Sequence, residues 1–295
     1  MSNIYDIKNR IKSVNSTVEL TRAMYLISTS RIRRAMKMYQ SNQIYFNHAR
    51  QAIKHILSHM PDYSHKYLKD TINSDKATCF IVIASNKGMA GGYNHDVCQA
   101  ALDAIKACTA PQIVLITVGY MAGEFFRREG YKVDFEYRDI IDAPTISAAR
   151  RLMESVNERI DSGLIDETVV VYTHMVSSVK RQVRTARLLP LLMQDFDDVV
   201  YEKGFKDADI SYDPNPEEVI TALVPQYLLG MLYGMLVQAY ASEHSTRMQA
   251  MDEATRNADE LIEKLKLEYN GARQGAITQE ITEIVSGAES IKGQK

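Results

Sequence analysis

The first sixty residues contain neither glycine nor proline: Pro61 is the first proline and Gly88 the first glycine. So long a stretch without a breaker excludes a run of turns and short strands there and invites one long helix. Cysteine is scarce. Cys79, Cys98 and Cys108 have no disulfide or metal spacing, and an odd, unpatterned set fits a reducing compartment. No apolar core follows a basic stretch at the N-terminus, so export is not expected, and the sequon Asn15-Ser16-Thr17 carries no meaning without it. There is no excess of one charge. The 35 Lys and Arg against 37 Asp and Glu leave −2, which removes the global basic bias of a nucleic-acid binder. Nucleophile elbow, triad order and kinase set are all missing. The composition is otherwise ordinary, 45% hydrophobic and 24% charged over 295 residues, with a prior of one or two domains. The charge is distributed unevenly: residues 1–50 carry nine basic and two acidic side chains, residues 241–295 seven and ten.

Stepping alternately by three and four from Ile4 lands on Ile7, Ile11, Val14, Val18, Thr21, Tyr25, Ser28, Ile32, Ala35, Tyr39, Asn42, Phe46, Ala49, Ile53, Ile56 and Met60. Fourteen of these seventeen positions are apolar or aromatic. A seam held over that many heptads indicates a coiled coil rather than a globular amphipathic helix. At 1.5 Å per residue it spans roughly 85 Å. The C-terminal end answers it. From Met248 the same stepping meets Met251, Thr255, Ala258, Ile262, Leu265, Tyr269 and Ala272, and after a slip resumes at Ile277, Ile281, Ile284, Ala288 and Ile291. Pro216 suits a first helical position, with Glu217 and Glu218 in the first turn. A basic first helix and a mildly acidic last helix, with the chain returning between them, predict an antiparallel pair. Gly230 and Gly234 share one face and suggest close approach of another backbone; Gly271 and Gly275 also punctuate the helix. Val219 to Ser242 is free of charge and long enough to cross a bilayer, but Pro225, Gln226 and Gln238 and the acidic flanks favour a buried helix. No membrane span is expected.

Residues 77–193 change character. Cys79–Ala84 is a short apolar run ending in a turn with Gly88, Gly91 and Gly92, followed by a helical pattern from about His95 to Cys108. Gln112–Val118 is the next strand, then a short helix with Phe125 and Phe126 closed by Gly130, and an edge strand over 131–137. Thr145 caps a helix to Ile160, Thr168–Tyr172 is a buried strand, and Gln182–Leu189 suits an antiparallel partner. Strand and helix alternating at these lengths imply an α/β domain, Rossmann-like, with a mostly parallel sheet. The expected division is 1–60 and 216–291 as coiled-coil helices and 77–193 as the central domain.

The chemical signals are weak. The glycine turn spells GxxGG, neither GxGxxG nor a P-loop, and Lys87 precedes its glycines, so a structural turn is expected and no cofactor. A turn of this kind can demand positive φ at Gly88. His55 and His59 lie at i,i+4, with His65 beyond, but no further ligand accompanies them; a solvated helix end is expected and no metal site. Asp195, Asp197 and Asp198 read as a surface turn.

The two ends resemble a known family. Ile7-Lys8-Asn9-Arg10-Ile11-Lys12-Ser13-Val14, with Leu20-Thr21-Arg22-Ala23-Met24 and Arg31-Ile32-Arg33-Arg34-Ala35, resembles the opening of the F-type ATP synthase gamma subunit. Ala241-Ser242-Glu243-His244 with Arg247-Met248-Gln249-Ala250-Met251 resembles a second run of that family. Ala272-Arg273-Gln274, followed by Ile277-Thr278-Gln279-Glu280-Ile281-Thr282-Glu283-Ile284-Val285-Ser286-Gly287-Ala288, resembles its C-terminal signature. The resemblance implies a rotor shaft inside a ring of alpha and beta subunits, with a foot beside the epsilon subunit and the membrane-embedded c ring. It places the assembly on the cytoplasmic face of a bacterial membrane, with nucleotide chemistry in beta. Carried over by position, Met24 faces an acidic lever loop of beta. Arg247, Arg273, Gln274, Thr278 and Glu280 hydrogen-bond to beta. Arg31, Arg33, Arg34 and Lys37 offer that loop a charge of opposite sign. Ala90 stands where the family usually has cysteine, which argues against thiol chemistry at the turn. The stretch Ser178-Val179-Lys180-Arg181-Gln182-Val183-Arg184 is more basic than the family leads one to expect. Two other readings compete: a nucleotide-dependent enzyme on the middle domain, and a stand-alone coiled-coil scaffold.

Overall fold

A computed structural model describes residues 4–60, 66–68, 75–177, 180–201 and 212–292, with side chains to 286. In order the elements are α1 (Ile4–His59), β1 (Ala77–Ile83), α2 (Tyr93–Ala107), β2 (Ile113–Val118), α3 (Tyr120–Arg128), β3 (Phe135–Tyr137), α4 (Asp139–Asp142), α5 (Ile146–Asp161), β4 (Ile165–Met175), β5 (Arg181–Leu189), a 3₁₀ turn (Met193–Phe196) and α6 (Pro216–Lys292). The chain divides into two compact units. Residues up to Ile27 and from Met248 onward form one, and Ser28–Arg247 the other.

The first unit is a helix pair. Val14 and Val18 pack against Ala258 and Ile262. The Thr21 and Thr255 hydroxyls hydrogen-bond at 2.7 Å, so the two threonines in the apolar seam satisfy each other. Arg22 and Asp259 pair at 3.2 Å on the exposed flank, worth only ~0.2–1 kcal/mol. The partners run antiparallel. The α6 seam from Met248 to Ala272 has no exposed position, but Ile277, Ile281 and Ile284 are exposed. The expected resumption of the seam at Ile277 is therefore corrected. Thr21 faces Thr255, so seventeen residues back along α1, Ile4 corresponds to Ala272, and among the described residues α1 has none opposite Ile277. The side chains of Ala288 and Ile291 lie outside the described residues.

In the second unit the sheet order is β3-β2-β1-β4-β5, parallel except for β5, which runs antiparallel to β4. The edge strand is shorter than 131–137 suggested, only Phe135–Tyr137. Alternate residues of each strand feed two cores. Phe80, Val82, Leu115 and Val171 face α2 and α3 through Val97, Leu102 and Phe126. Cys79, Ile81, Ile116 and Val170 join a cluster with Leu152 and Val156 of α5, Ile53 and Ile56 of α1, and Leu228, Leu232 and Leu236 of α6. The parts of α1 and α6 that belong to this unit thus cover one face of the sheet, and this explains the charge-free stretch Val219–Ser242: it is core helix. Thr145 caps α5 as its position suggested, accepting from Ala148 N–H at 3.1 Å. Asn215 caps α6 ahead of Pro216, accepting from Glu218 N–H at 2.9 Å. Pro225 lies inside α6.

The Gly230/Gly234 pair admits a side chain, not a backbone. Asn42 Nδ2 donates to Gly230 O at 3.0 Å, and a Cβ on Gly234 would meet the same amide at 3.3 Å. At Gly271 and Gly275 a Cβ would meet nothing within 4 Å.

Candidate functional site

Ordered side chains converge where α6 meets the first βα turn. Glu243 and Arg247, one helical turn apart and both under 9% exposed, pair at 2.7 Å. Arg247 Nη2 donates to Gly88 O at 3.2 Å and Lys87 O at 3.4 Å. Its Nη1 lies 3.2 Å from His244 Nδ1, and on the other side of that ring Arg31 Nη1 lies 3.3 Å from Nε2. Burial and the two guanidinium groups hold the imidazole pKa down to about 3. Burial raises the Glu243 carboxyl while Arg247 opposes it. A neutral imidazole has one N–H and one lone pair, so it accepts properly from one arginine only.

The same stretch of α6 covers the carboxyl ends of the strands. Tyr93 OH donates to Ala239 O at 3.1 Å, Met175 N–H donates to Gln238 Oε1 at 3.0 Å, and Ser242 Oγ donates to Thr173 O at 3.0 Å. This edge lies beside the boundary of β1 and β4, where the strand order changes direction and open α/β sheets take their ligands. The turn differs from expectation. Its left-handed residues are Met89 (φ 59°) and Gly91 (φ 51°), and a Cβ on Gly91 would meet Thr246 Cγ2 at 3.2 Å. Gly88 is not left-handed, and a Cβ there would meet nothing within 4 Å. The expectation that Gly88 carries the turn is corrected: its carbonyl, not its lack of a side chain, matters.

The other marked residues lie apart from this cluster. Met24 is half-buried on α1, in the helix-pair unit. Arg273, Gln274, Thr278 and Glu280 are exposed on α6, where Thr278 Oγ1 donates to Gln274 O at 2.9 Å. Arg33, Arg34 and Lys37 are exposed on α1. Of the marked set, only Arg31 and Arg247 meet, through His244.

The His55 and His59 rings lie 4.5 Å apart, tilted by 39°, and His55 Nδ1 lies 2.5 Å from Tyr212 OH. His55 is buried rather than solvated, and His65 lies outside the described residues. Among the described residues no group of three His, Cys, Asp or Glu side chains could hold a metal. Burial pushes the Cys79 and Cys98 thiols up to about 12. The aspartate cluster is a brace that sequence reading missed. Asp195 takes both oxygens to Arg187, at 2.7 and 2.9 Å, and Asp198 pairs with Arg50 of α1 at 2.7 Å. Part of the basic stretch is explained in the same way: Arg181 lies 3.6 Å from Asp96, and just past the stretch Arg187 holds Asp195. Ser178 and Val179 fall outside the described residues.

A family model described as ATP synthase matches residues 3–291. An ATP synthase gamma chain from Caldanaerobacter subterraneus subsp. tengcongensis is 42% identical over 293 residues, covering 96% of this chain and 98% of the relative. Two solved structures share the fold. One is the rotor of the Euglena gracilis mitochondrial ATP synthase (TM-score 0.63, 14% identity, 93% of this chain and 98% of that one). The other is the central stalk and c ring of the Tetrahymena thermophila mitochondrial ATP synthase (TM-score 0.59, 18% identity, 80% and 99%).

Proposed function

The chain belongs to the ATP synthase gamma-chain family, and from that premise we propose that it is the shaft of an F-type enzyme, turning within a head of alpha and beta subunits. It is a non-catalytic subunit. In this reading its foot meets the epsilon subunit and the c ring at the cytoplasmic face of a bacterial membrane, and rotation presents each beta subunit in turn with a different face.

One observation carries the proposal. Past Ala272, α6 continues as helix with Ile277, Ile281, Ile284 and Val285 exposed at 47, 56, 71 and 51% and no described α1 residue opposite. Apolar positions at this spacing on a bare helix need a partner from another chain. Arg273, Gln274, Thr278 and Glu280 stand among them as donors and acceptors for beta. Met24 and the cations Arg31, Arg33, Arg34 and Lys37 serve as further beta contacts. Arg247 is bonded within its own chain, so it reaches beta only through what Glu243, His244 and the turn leave open. Exposed charge pairs are weak singly, and a shaft must leave each beta subunit it meets. Stiffness and shape then transmit torque, and charge tunes it.

The nucleotide-enzyme reading is disfavoured because α6 takes up the groups at the strand ends where a cofactor would sit. Reconstitution tests the proposal. The chain should assemble with alpha and beta subunits and couple ATP hydrolysis to ion pumping, while alone it turns over no ATP. Failure to assemble, or turnover by the isolated chain, overturns it.

A further inference from the structure

Beside the strand ends that α6 covers, a cavity of about 450 Å³ opens between the first turn of α2 and the β4–β5 hairpin. Tyr93, Asp96, Thr173, Lys180, Arg181 and Val183 line it. Alternation along β4 puts Thr173 on the same face as Val169 and Val171, which pack among the side chains of α2. Thr173 is 1% exposed, and its hydroxyl has no hydrogen-bond partner. An unbonded buried hydroxyl is costly and is uncommon without a reason.

The surrounding groups supply the reason. α2 begins at Gly92 with no side-chain cap. The Tyr93 amide donates to Ala90 O and the Asp96 amide to Gly92 O, but those of Asn94 and His95 have no acceptor among the described residues. A helix start in this state carries roughly half a positive charge and open donors. Lys180 has no carboxylate partner among the described residues, and Arg181 has Asp96 at the loose distance of 3.6 Å. Two cations, a helix start and a buried hydroxyl donor face one carboxylate.

We propose that this cavity binds a phosphate-class oxyanion, either inorganic phosphate or the end of a small phosphomonoester. The Thr173 hydroxyl, Lys180 and Arg181 donate to it, and the first turn of α2, which lines the cavity through Tyr93 and Asp96, adds its partial positive charge. Asp96 has a distinct role. Hydrogen phosphate keeps a proton at neutral pH and can donate it to the Asp96 carboxylate; sulfate cannot. The site therefore prefers phosphate to sulfate of the same shape.

Calorimetric titration of the full chain with inorganic phosphate, phenyl phosphate and sulfate at matched ionic strength tests this. Phosphate should bind saturably and sulfate markedly more weakly. Thr173→Val should weaken phosphate about tenfold, the size of a lost hydrogen bond to a charged group. The same variant should raise the melting temperature without phosphate, because it removes an unbonded buried hydroxyl. Lys180→Gln, at an exposed position, should weaken phosphate without altering the melt, which keeps the test decisive if Thr173→Val folds poorly. Asp96→Asn should narrow the gap between phosphate and sulfate. Compared at about pH 6, where a monoester as well as phosphate retains a proton in part, phenyl phosphate binding as well as phosphate assigns the site to monoesters, and its exclusion assigns it to the free ion. Absence of saturable binding up to about 10 mM phosphate, or an affinity that neither Thr173→Val nor Lys180→Gln changes, overturns the proposal.

Discussion

The two ends of α6 share an apolar rhythm and live in opposite surroundings. Along Leu228, Leu232, Leu236 and Ala239 every apolar position is buried, against the sheet and α1. Along Ile277, Ile281 and Ile284 the same kind of residue at nearly the same spacing faces outward. Periodicity states that a face will be covered; it does not state by which chain. In the first case the partner lies in the same polypeptide, and folding supplies the burial. In the second, burial waits for assembly, and the residues contribute nothing to the stability of the free chain.

That contrast can be broken experimentally, and the largest effect belongs to the bare end. Truncation from Ile277 should abolish most ATP-driven ion pumping relative to hydrolysis in the reconstituted complex while leaving the urea midpoint of the isolated chain unchanged. Neutralising Arg31, Arg33, Arg34 and Lys37 together should cost less coupling than that truncation. If the neutralised shaft is fully uncoupled and the truncated one pumps normally, charge and not stiffness carries the torque. Next in size, Leu236→Ala should destabilise the free chain by ~3 kcal/mol, whereas Ile281→Ala should stay within about 0.5 kcal/mol; chemical denaturation of both separates the two ends directly.

A proton test follows. The His244 ring is neutral in the folded chain down to about pH 3, while its unfolded form protonates below about 6.5. The unfolded state therefore binds more protons in that window, so stability falls as pH falls. From neutrality to pH 5 the wild type should lose ~2 kcal/mol more than His244→Gln, the value of roughly 1.5 pH units below the free pKa. The smallest effects sit in the turn. Gly91→Ala should cost ~1 kcal/mol for its left-handed backbone and the Thr246 contact, Gly88→Ala should cost less, and Met89→Gly should gain up to ~1 kcal/mol. Thermal melts of the three rank them.

Much of the fold was legible because it rests on long repeats. None of the seventeen seam positions from Ile4 to Met60 is exposed, including the polar Thr21, Ser28 and Asn42. The antiparallel β5, the Thr145 cap and the start of α6 followed from local rules. What escaped depends on who stands opposite. Nothing local reveals that the described α1, starting at Ile4, does not reach the second α6 seam, or that a side chain fills the glycine gap. Glycine-counting pointed to Gly88, yet the turn bends at Met89, a left-handed residue that carries the local Cβ–carbonyl cost a glycine would avoid. The Asp195–Asp198 brace hid because the Arg50 that holds Asp198 lies 148 residues away. For the site, the runs containing Arg247 and His244 were visible as marked residues, but their hold on the carbonyls of Lys87 and Gly88 was not, since backbone acceptors leave no trace in a sequence.

The Asn42 amide seated over Gly230 has one more consequence. Twisting a pair of helices from one end loads them in shear, and a purely greasy seam can slip by a heptad and find similar contacts again. Asn42 forbids that. A slide of seven residues would take its amide from Gly230 to Leu223 or Val237, stripping a hydrogen bond and driving a polar group into methyl groups. One keyed residue thus removes backlash from the pair, so that an angle imposed at one point along the helices is not lost as sliding before it reaches the next.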